Sequence, residues 1–268
     1  MRFIFIKLGV MIVSAVQCDV SAPEKIAQMI GGNAGSDLYV LPEMWNTGFT
    51  VNPQADAIAE SEARTIMARL AAEQGCAVAG SMAVRSRRVA ESQGHKAESE
   101  EFRNRFYFAE PDGTMSHYDK HHLFSLAKED RAFVAGQQRT VVNYCGMRIM
   151  LLVCYDLRFP IWSRCNEDYD CILYVANWPT LRIEPMRTLL KARAIENQCY
   201  VVGVNRTGGL FGGHSAIIGP DGTVIKEASA DKEEVVSADL SMEPLLKLRK
   251  KFPVLKDRDE VEVKRLKD

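Results

Sequence analysis

The sequence predicts an α/β fold of four layers, α-β-β-α, in which two β-sheets pack face to face with helices outside. Three observations carry this expectation. Short β-branched apolar runs alternate with amphipathic stretches. The alternation occurs twice, first as β-α-β-α-β-β and then as β-α-β-α-β-β-β. Pro-Asp-Gly turns at 111–113 and 220–222 separate neighbouring strands, as hairpin connections do.

The N-terminal MRFIFIKLGVMIVSAVQ has two readings. Arg2 and Lys7 ahead of an apolar stretch resemble a signal peptide, whereas Met11–Gln17 reads as a buried strand. The strand is preferred, because cleavage would remove the first strand of the fold. Met11 is then the expected native start. Residues 1–10 become an upstream extension, 11–255 the folded domain and 256–268 a charged C-terminal tail. The strands expected are Ile12–Val16, Asp37–Leu41, Ala77–Gly80, Arg105–Ala109, Met147–Val153, Asp170–Ala176, Tyr200–Val204, Ser215–Ile218 and Glu234–Ala238. Helices are expected over Pro23–Ile30, Ala55–Gln74, Pro160–Cys165 and Pro185–Glu196. The polar, charged stretch Arg85–Arg103 is expected as a surface excursion near the mouth of a site, and the segment from Lys247 onward as a charged tail.

Composition narrows the function. With 47% apolar and 26% charged residues the chain is an ordinary globular protein rather than a disordered one. A net charge of -1 gives no basic footprint for nucleic acid. No segment reaches the roughly 18 apolar residues a membrane span needs. The cysteine count of 7 is odd, and no two are separated by two residues, which argues against a disulfide framework or a structural zinc site. Reduced thiols in a cytoplasmic enzyme fit better, with one cysteine free to be a nucleophile.

Three residues stand out. Cys154 follows the apolar run 147–153 and precedes Pro160, which suits the first turn of a helix, so it is expected on a sharp strand-to-helix turn. Outward-pointing N–H groups there would favour a thiolate and supply an oxyanion donor. Position alone fits an inert core thiol equally well. Glu43 follows the buried strand that ends at Leu41 and Pro42. Apolar Met44, Trp45 and Phe49 would desolvate it, as a general base near neutral pH requires; the alternative is a solvated loop carboxylate. Lys120 lies between a strand and the apolar Leu123-Phe124 pair, either as a surface lysine or as a buried cation for a carbonyl oxygen. Adjacent His121 and His122 suggest a metal, but consecutive side chains diverge and no third ligand completes a site.

Together and in this order, LPEMWNTGF at 41–49, RNRFYFAEPDG at 103–113, YDKHHLF at 118–124, LLVCYDLRFP at 151–160, ANWP at 176–179 and KARAIENQCYVVGVNR at 191–206 resemble the nitrilase superfamily of carbon–nitrogen hydrolases. The resemblance runs from about Val13 to about Phe252, and the forms around Lys120 and Cys154 look most like its omega-amidase branch. It implies the four-layer nitrilase sandwich and a Glu43-Lys120-Cys154 triad. Glu129 would be a second glutamate that places the lysine and the leaving group, and the Tyr155 N–H would share the oxyanion with Lys120. It implies no cofactor, a homodimer, and hydrolysis of the terminal amide of 2-oxoglutaramate and 2-oxosuccinamate by way of a cysteine thioester.

The substrate carboxylate needs a cation. Arg158 is the candidate, with an ion pair to Asp156 or another local acid as the alternative use of its charge. Trp45 and Phe49 beside Glu43, Trp178 in ANWP, and His214 in the pocket-bordering loop 208–214 are the further expected substrate contacts. Related omega-amidases usually carry Trp at Met186 and Asp at His214, and their counterpart of this loop is longer. Two other functions stay open: another amidase of the superfamily, such as an N-carbamoyl amino acid hydrolase, and a non-catalytic interaction module.

Overall fold

The structure, a computed structural model, describes residues 9–92 and 95–261. The expected upstream extension falls outside these apart from Gly9 and Val10, as does the last part of the charged tail. Val10 already pairs with Ser241. The first strand, Val10–Gln17, thus begins just ahead of Met11.

Two sheets form the centre. The first runs, in spatial order, Glu234–Ser241, Val10–Gln17, Leu38–Val40, Ala77–Ser92, His95–Ala109 and Met115–Asp119, with Ile58–Ala59 also paired to Ala77–Ser92. The second runs Val224–Glu227, Ala216–Ile218, Tyr200–Asn205, Cys171–Ala176, Met147–Val153 and Val141–Tyr144. In each, three parallel strands occupy the middle and antiparallel strands the margins. Side chains alternate across the first sheet as a two-residue period requires. Met11, Val13, Ala15, Ala77, Ala79, Phe106 and Phe108 join the core shared with the second sheet. Val16, Val78, Met82, Tyr107 and Ala109 face the helices Pro23–Gly32 and Glu60–Gln74 through Ile26, Ile30, Met67 and Leu70. On the far side, Ile183–Asn197 packs Met186, Leu190 and Ala194 onto the second sheet, whose central strands are buried on both faces. The order helix, sheet, sheet, helix is the predicted four-layer sandwich.

Four expectations are corrected. Arg85–Arg103 is no irregular excursion: the strands Ala77–Ser92 and His95–Ala109 continue through it as one hairpin, paired as far as Ser92 and His95. Ala55–Gln74 is not one helix. Pro53–Asp56 forms a single turn, Ala57 becomes extended, and Ile58–Ala59 pairs with Val84–Arg85 before the long helix begins at Glu60. Pro160–Cys165 is a turn rather than a helix. The helical turn lies earlier, a 3-10 segment Cys154–Arg158, and ends at Phe159, whose backbone (φ -116°, ψ 85°) leaves the helical region ahead of Pro160. Finally, Met242–Lys251 is a helix anchored by buried Leu245, so the charged tail starts later than Lys247.

Candidate active site

The site forms where strands of both sheets end, the position at which α/β folds expose reactive groups. Glu43 lies just beyond Val40, Lys120 directly follows Asp119, Cys154 directly follows Val153, and Asn177 directly follows Ala176.

Glu43 is held by its backbone. Met44 takes a left-handed conformation (φ 44°) and donates its N–H to Ser81 Oγ at 3.0 Å. The Asn177 side chain donates to the Glu43 carbonyl at 2.8 Å, tying the two sheets together at this point. Lys120 is held equally firmly: its N–H reaches Asn104 O, and its carbonyl accepts the Gly136 N–H, both at 3.0 Å. Any Cβ on Gly136 would lie 2.1 Å from Asp119 O, so this close approach requires glycine.

Three ionisable side chains meet beneath the surface. Glu43, Lys120 and Glu129 have fully buried side chains. Lys120 Nζ donates to Glu43 Oε1 at 2.8 Å and to Glu129 Oε2 and Oε1 at 2.9 and 3.1 Å. Asn104 Nδ2 bridges the same carboxylates at 2.8 and 3.1 Å, and Glu129 Oε2 accepts the Phe124 N–H at 2.7 Å. Met44, Ala83 and Phe133 form a small apolar cluster with Phe49 packed against it, and the Phe49 ring centre lies 5.9 Å from Lys120 Nζ. Burial works to discharge Lys120, but Glu129 and then Glu43 outweigh it and hold the ammonium well above its ordinary range. Glu43 Oε2 has no hydrogen-bond partner.

Cys154 opens the 3-10 turn in a left-handed conformation (φ 46°) and faces the cavity. Burial, and next the neighbouring Glu43, push its thiol well above the ordinary 9.0, while Lys120 pulls the other way. The expectation of a resting thiolate is therefore corrected: desolvation and an adjacent carboxylate favour the neutral thiol. Tyr155 follows on the cavity wall, and near the start of the turn its N–H has no partner within it.

Beneath the turn, Asp156 is fully buried and joins the segments that carry Lys120 and Cys154. Its Oδ2 accepts the Val153 N–H at 3.0 Å and the Tyr118 hydroxyl at 2.8 Å. Its Oδ1 accepts the His122 N–H at 2.9 Å and lies 2.8 Å from His122 Nδ1. Burial and then Asp156 keep Tyr118 protonated as a donor. The His121 and His122 rings meet edge-on, 4.5 Å between centres, but their Nδ1 atoms go to different partners: His121 Nδ1 lies 2.7 Å from Gly136 O, and His122 Nδ1 lies against Asp156. Among the described residues no cluster of His, Cys, Asp or Glu could hold a metal ion.

The cavity above Cys154 has a volume of about 260 Å³, below the usual range for drug-sized ligands, so it suits a small substrate. Glu43, Lys120 and Cys154 line it together with Phe49, Trp178, Tyr155 and Arg158. Arg158 does not pair with Asp156, whose oxygens are taken from the other side. Its guanidinium carbon instead lies 4.7 Å from the Trp178 ring centre. Two expected contacts are corrected. Trp45 is buried in the core between the first sheet and its helices, because the turn after Glu43 sends it away from the cavity. His214 lies outside the lining, with Nδ1 3.3 Å from Glu227, which also pairs with Arg187. The loop before it does border the cavity, through Leu210 and Phe211. Sequence reasoning missed Asn104, Phe124, Asn177 and Arg182. Asn104 and Asn177 lie inside segments that carry the resemblance, but nothing in their local pattern separates a polar bridge from a loop amide.

Residues 16–250 match the carbon-nitrogen hydrolase family. Omega-amidase YafV of Escherichia coli (strain K12) is 42% identical over 238 residues, 87% of this chain and 88% of that protein. The 2-oxoglutaramate amidase of Bacillus subtilis (strain 168) is 34% identical over 233 residues, 83% of this chain and 85% of that protein. Among solved structures, XC1258 from Xanthomonas campestris, a CN-hydrolase superfamily protein with an arsenic adduct in its active site, superposes with a TM-score of 0.83 at 33% identity, covering 95% of this chain and 99% of that one. The chain belongs to the carbon–nitrogen hydrolase family, the nitrilase superfamily, and is a hydrolase of amide carbon–nitrogen bonds.

Proposed function

We propose that the protein is an omega-amidase that hydrolyses the terminal amide of 2-oxoglutaramate and 2-oxosuccinamate through a thioester on Cys154. The observation that carries the mechanism is the asymmetry of Glu43. Its Oε1 is saturated by Lys120 and Asn104, whereas Oε2 is buried and unpartnered beside a thiol whose proton is tightly held. A carboxylate oxygen so placed is suited to take that proton.

Glu43 removes the Cys154 proton as sulfur attacks the amide carbonyl, and the carbonyl π electrons move to oxygen. Lys120 and the Tyr155 N–H stabilise that oxyanion. Glu43 returns the proton to nitrogen, the C–N bond breaks, and ammonia leaves. Glu43 then deprotonates a water that attacks the thioester; the C–S bond breaks and Cys154 recovers its proton. Glu129 keeps Lys120 fixed and charged. Arg158, stacked on Trp178 with its edge free, receives the substrate carboxylate. The names of the Escherichia coli and Bacillus subtilis relatives support this substrate class.

The test is ammonia release from 2-oxoglutaramate, 2-oxosuccinamate, glutamine and N-carbamoyl amino acids. The 2-oxo acid amides are expected to have the highest kcat/KM, and Cys154→Ala to abolish it. Preference for a carbamoyl amino acid would move the enzyme to that branch, and wild-type inactivity on every amide would favour an interaction module.

A further inference from the structure

Arg182 lines the cavity, and nothing in the chemistry described so far uses it. It ends the 3-10 segment Thr180–Arg182 and caps the helix Ile183–Asn197. Its backbone is fixed: its N–H reaches Pro179 O at 2.9 Å, and the neighbouring Thr180 N–H reaches Leu210 O at 2.9 Å. Its guanidinium carbon lies 5.3 Å from the Phe124 ring centre. Arg158 stands on Trp178 in the same manner. A guanidinium covered on one face by a ring still presents its N–H edge.

Charge distinguishes these two arginines from others nearby. Arg206 is neutralised by Asp19, and Arg187 by Glu184 and Glu227. The guanidinium groups of Arg158 and Arg182 form no ion pair or hydrogen bond with any described residue. Glu43 is the one acid in the cavity lining, and Lys120 holds it. The upper cavity therefore offers two unpaired cations and no carboxylate.

We propose that Arg182 is a specificity-determining residue that works with Arg158 as a two-cation gate, admitting amides that end in a carboxylate and rejecting those that also carry an ammonium. One guanidinium takes the carboxylate, and the second reaches its other edge and a 2-oxo oxygen. A 2-ammonium group at the same place meets two positive charges and has no acid to receive it. This inference rests on the omega-amidase reading and supplies its selection against the amino acid amide.

The test compares wild type, Arg182→Met and Arg182→Lys on 2-oxoglutaramate, glutaramate, glutamine and pentanamide, with thermal unfolding run alongside. Arg182→Met should raise KM for the two carboxylate amides by about 10- to 100-fold, the loss of a charge-assisted hydrogen bond. Pentanamide, which carries no carboxylate, should lose far less than the two carboxylate amides, and the preference for 2-oxoglutaramate over glutamine should narrow. Arg182→Lys should keep most of the discrimination against glutamine. An unchanged preference over glutamine, or an equal loss on pentanamide, overturns the proposal. If Arg182→Met does not fold, Arg182→Gln takes its place under the same criteria. Wild-type inactivity on 2-oxoglutaramate would sink the omega-amidase reading alone, since glutaramate against pentanamide still tests the gate.

Discussion

Replacing Lys120 by Met removes the cation from a buried cluster of two carboxylates. The lysine donates at 2.8, 2.9 and 3.1 Å to two carboxylates whose side chains are fully buried. Asn104 alone then bridges Glu43 and Glu129. Removing one partner of a buried ion pair costs about 3–5 kcal/mol, because the remaining charge stays desolvated. At about 2–4 °C per kcal/mol for a large domain, Tm should fall by roughly 6–20 °C. The cause is testable by a cycle. Glu129→Gln in the Lys120→Met background removes one of the two stranded charges, so the double variant should be more stable than Lys120→Met alone. Urea unfolding of the four proteins, followed by far-UV circular dichroism, measures this. A Lys120→Met protein within 1 kcal/mol of wild type, the upper range for a surface ion pair, would refute the reasoning. So would a double variant no more stable than Lys120→Met.

Other predictions follow from the same geometry. Glu43 raises the Cys154 thiol, so Glu43→Gln should let iodoacetamide alkylate Cys154 at lower pH while hydrolysis is lost; Lys120→Met should shift alkylation to higher pH. Asp156→Asn leaves at least one of four donors facing an amide N–H instead of oxygen, about 1–3 kcal/mol for each; kcat should fall more than KM rises, with Tm lowered. Burial pushes the Cys18 thiol from 9.0 up to about 12. A raised thiol contributes stability below the unfolded value that is lost as pH climbs toward the folded one, so wild type should weaken between about 9 and 12 and Cys18→Ala should flatten that loss in pH-dependent urea melts. The homodimer expected from the resemblance should appear in light scattering, and charge at exposed Ile161 or Phe252 (Ile161→Glu, Phe252→Glu) should weaken it.

The parallel centres of both sheets were legible because their strands are short apolar runs: Met147–Val153 was read with the bounds it has. The hairpin through Arg85–Arg103 was not, because its pairing is set by the partner strand and not by local hydrophobicity. Pro160 was read as a helix start, yet its stronger effect is on Phe159, which it forces out of the helical region. At the site, Glu43, Lys120 and Cys154 stand out in their own segments and Glu129 only through the resemblance, and the structure brings the four together. Trp45 was misplaced because sequence proximity to Glu43 says nothing about the left-handed turn at Met44 that sends it inward. Arg182 was missed because its role depends on Phe124, nearly sixty residues away, and on the absence of any acid across the cavity.

The central claim is a thioester on Cys154, and partitioning with hydroxylamine tests it most directly. With 2-oxoglutaramate as substrate, rising hydroxylamine should divert product from the acid to the hydroxamate while ammonia release stays constant or increases, and Cys154→Ala should give neither product. Steady ammonia release with no hydroxamate at any hydroxylamine concentration would mean that water attacks the amide directly, and would contradict the account.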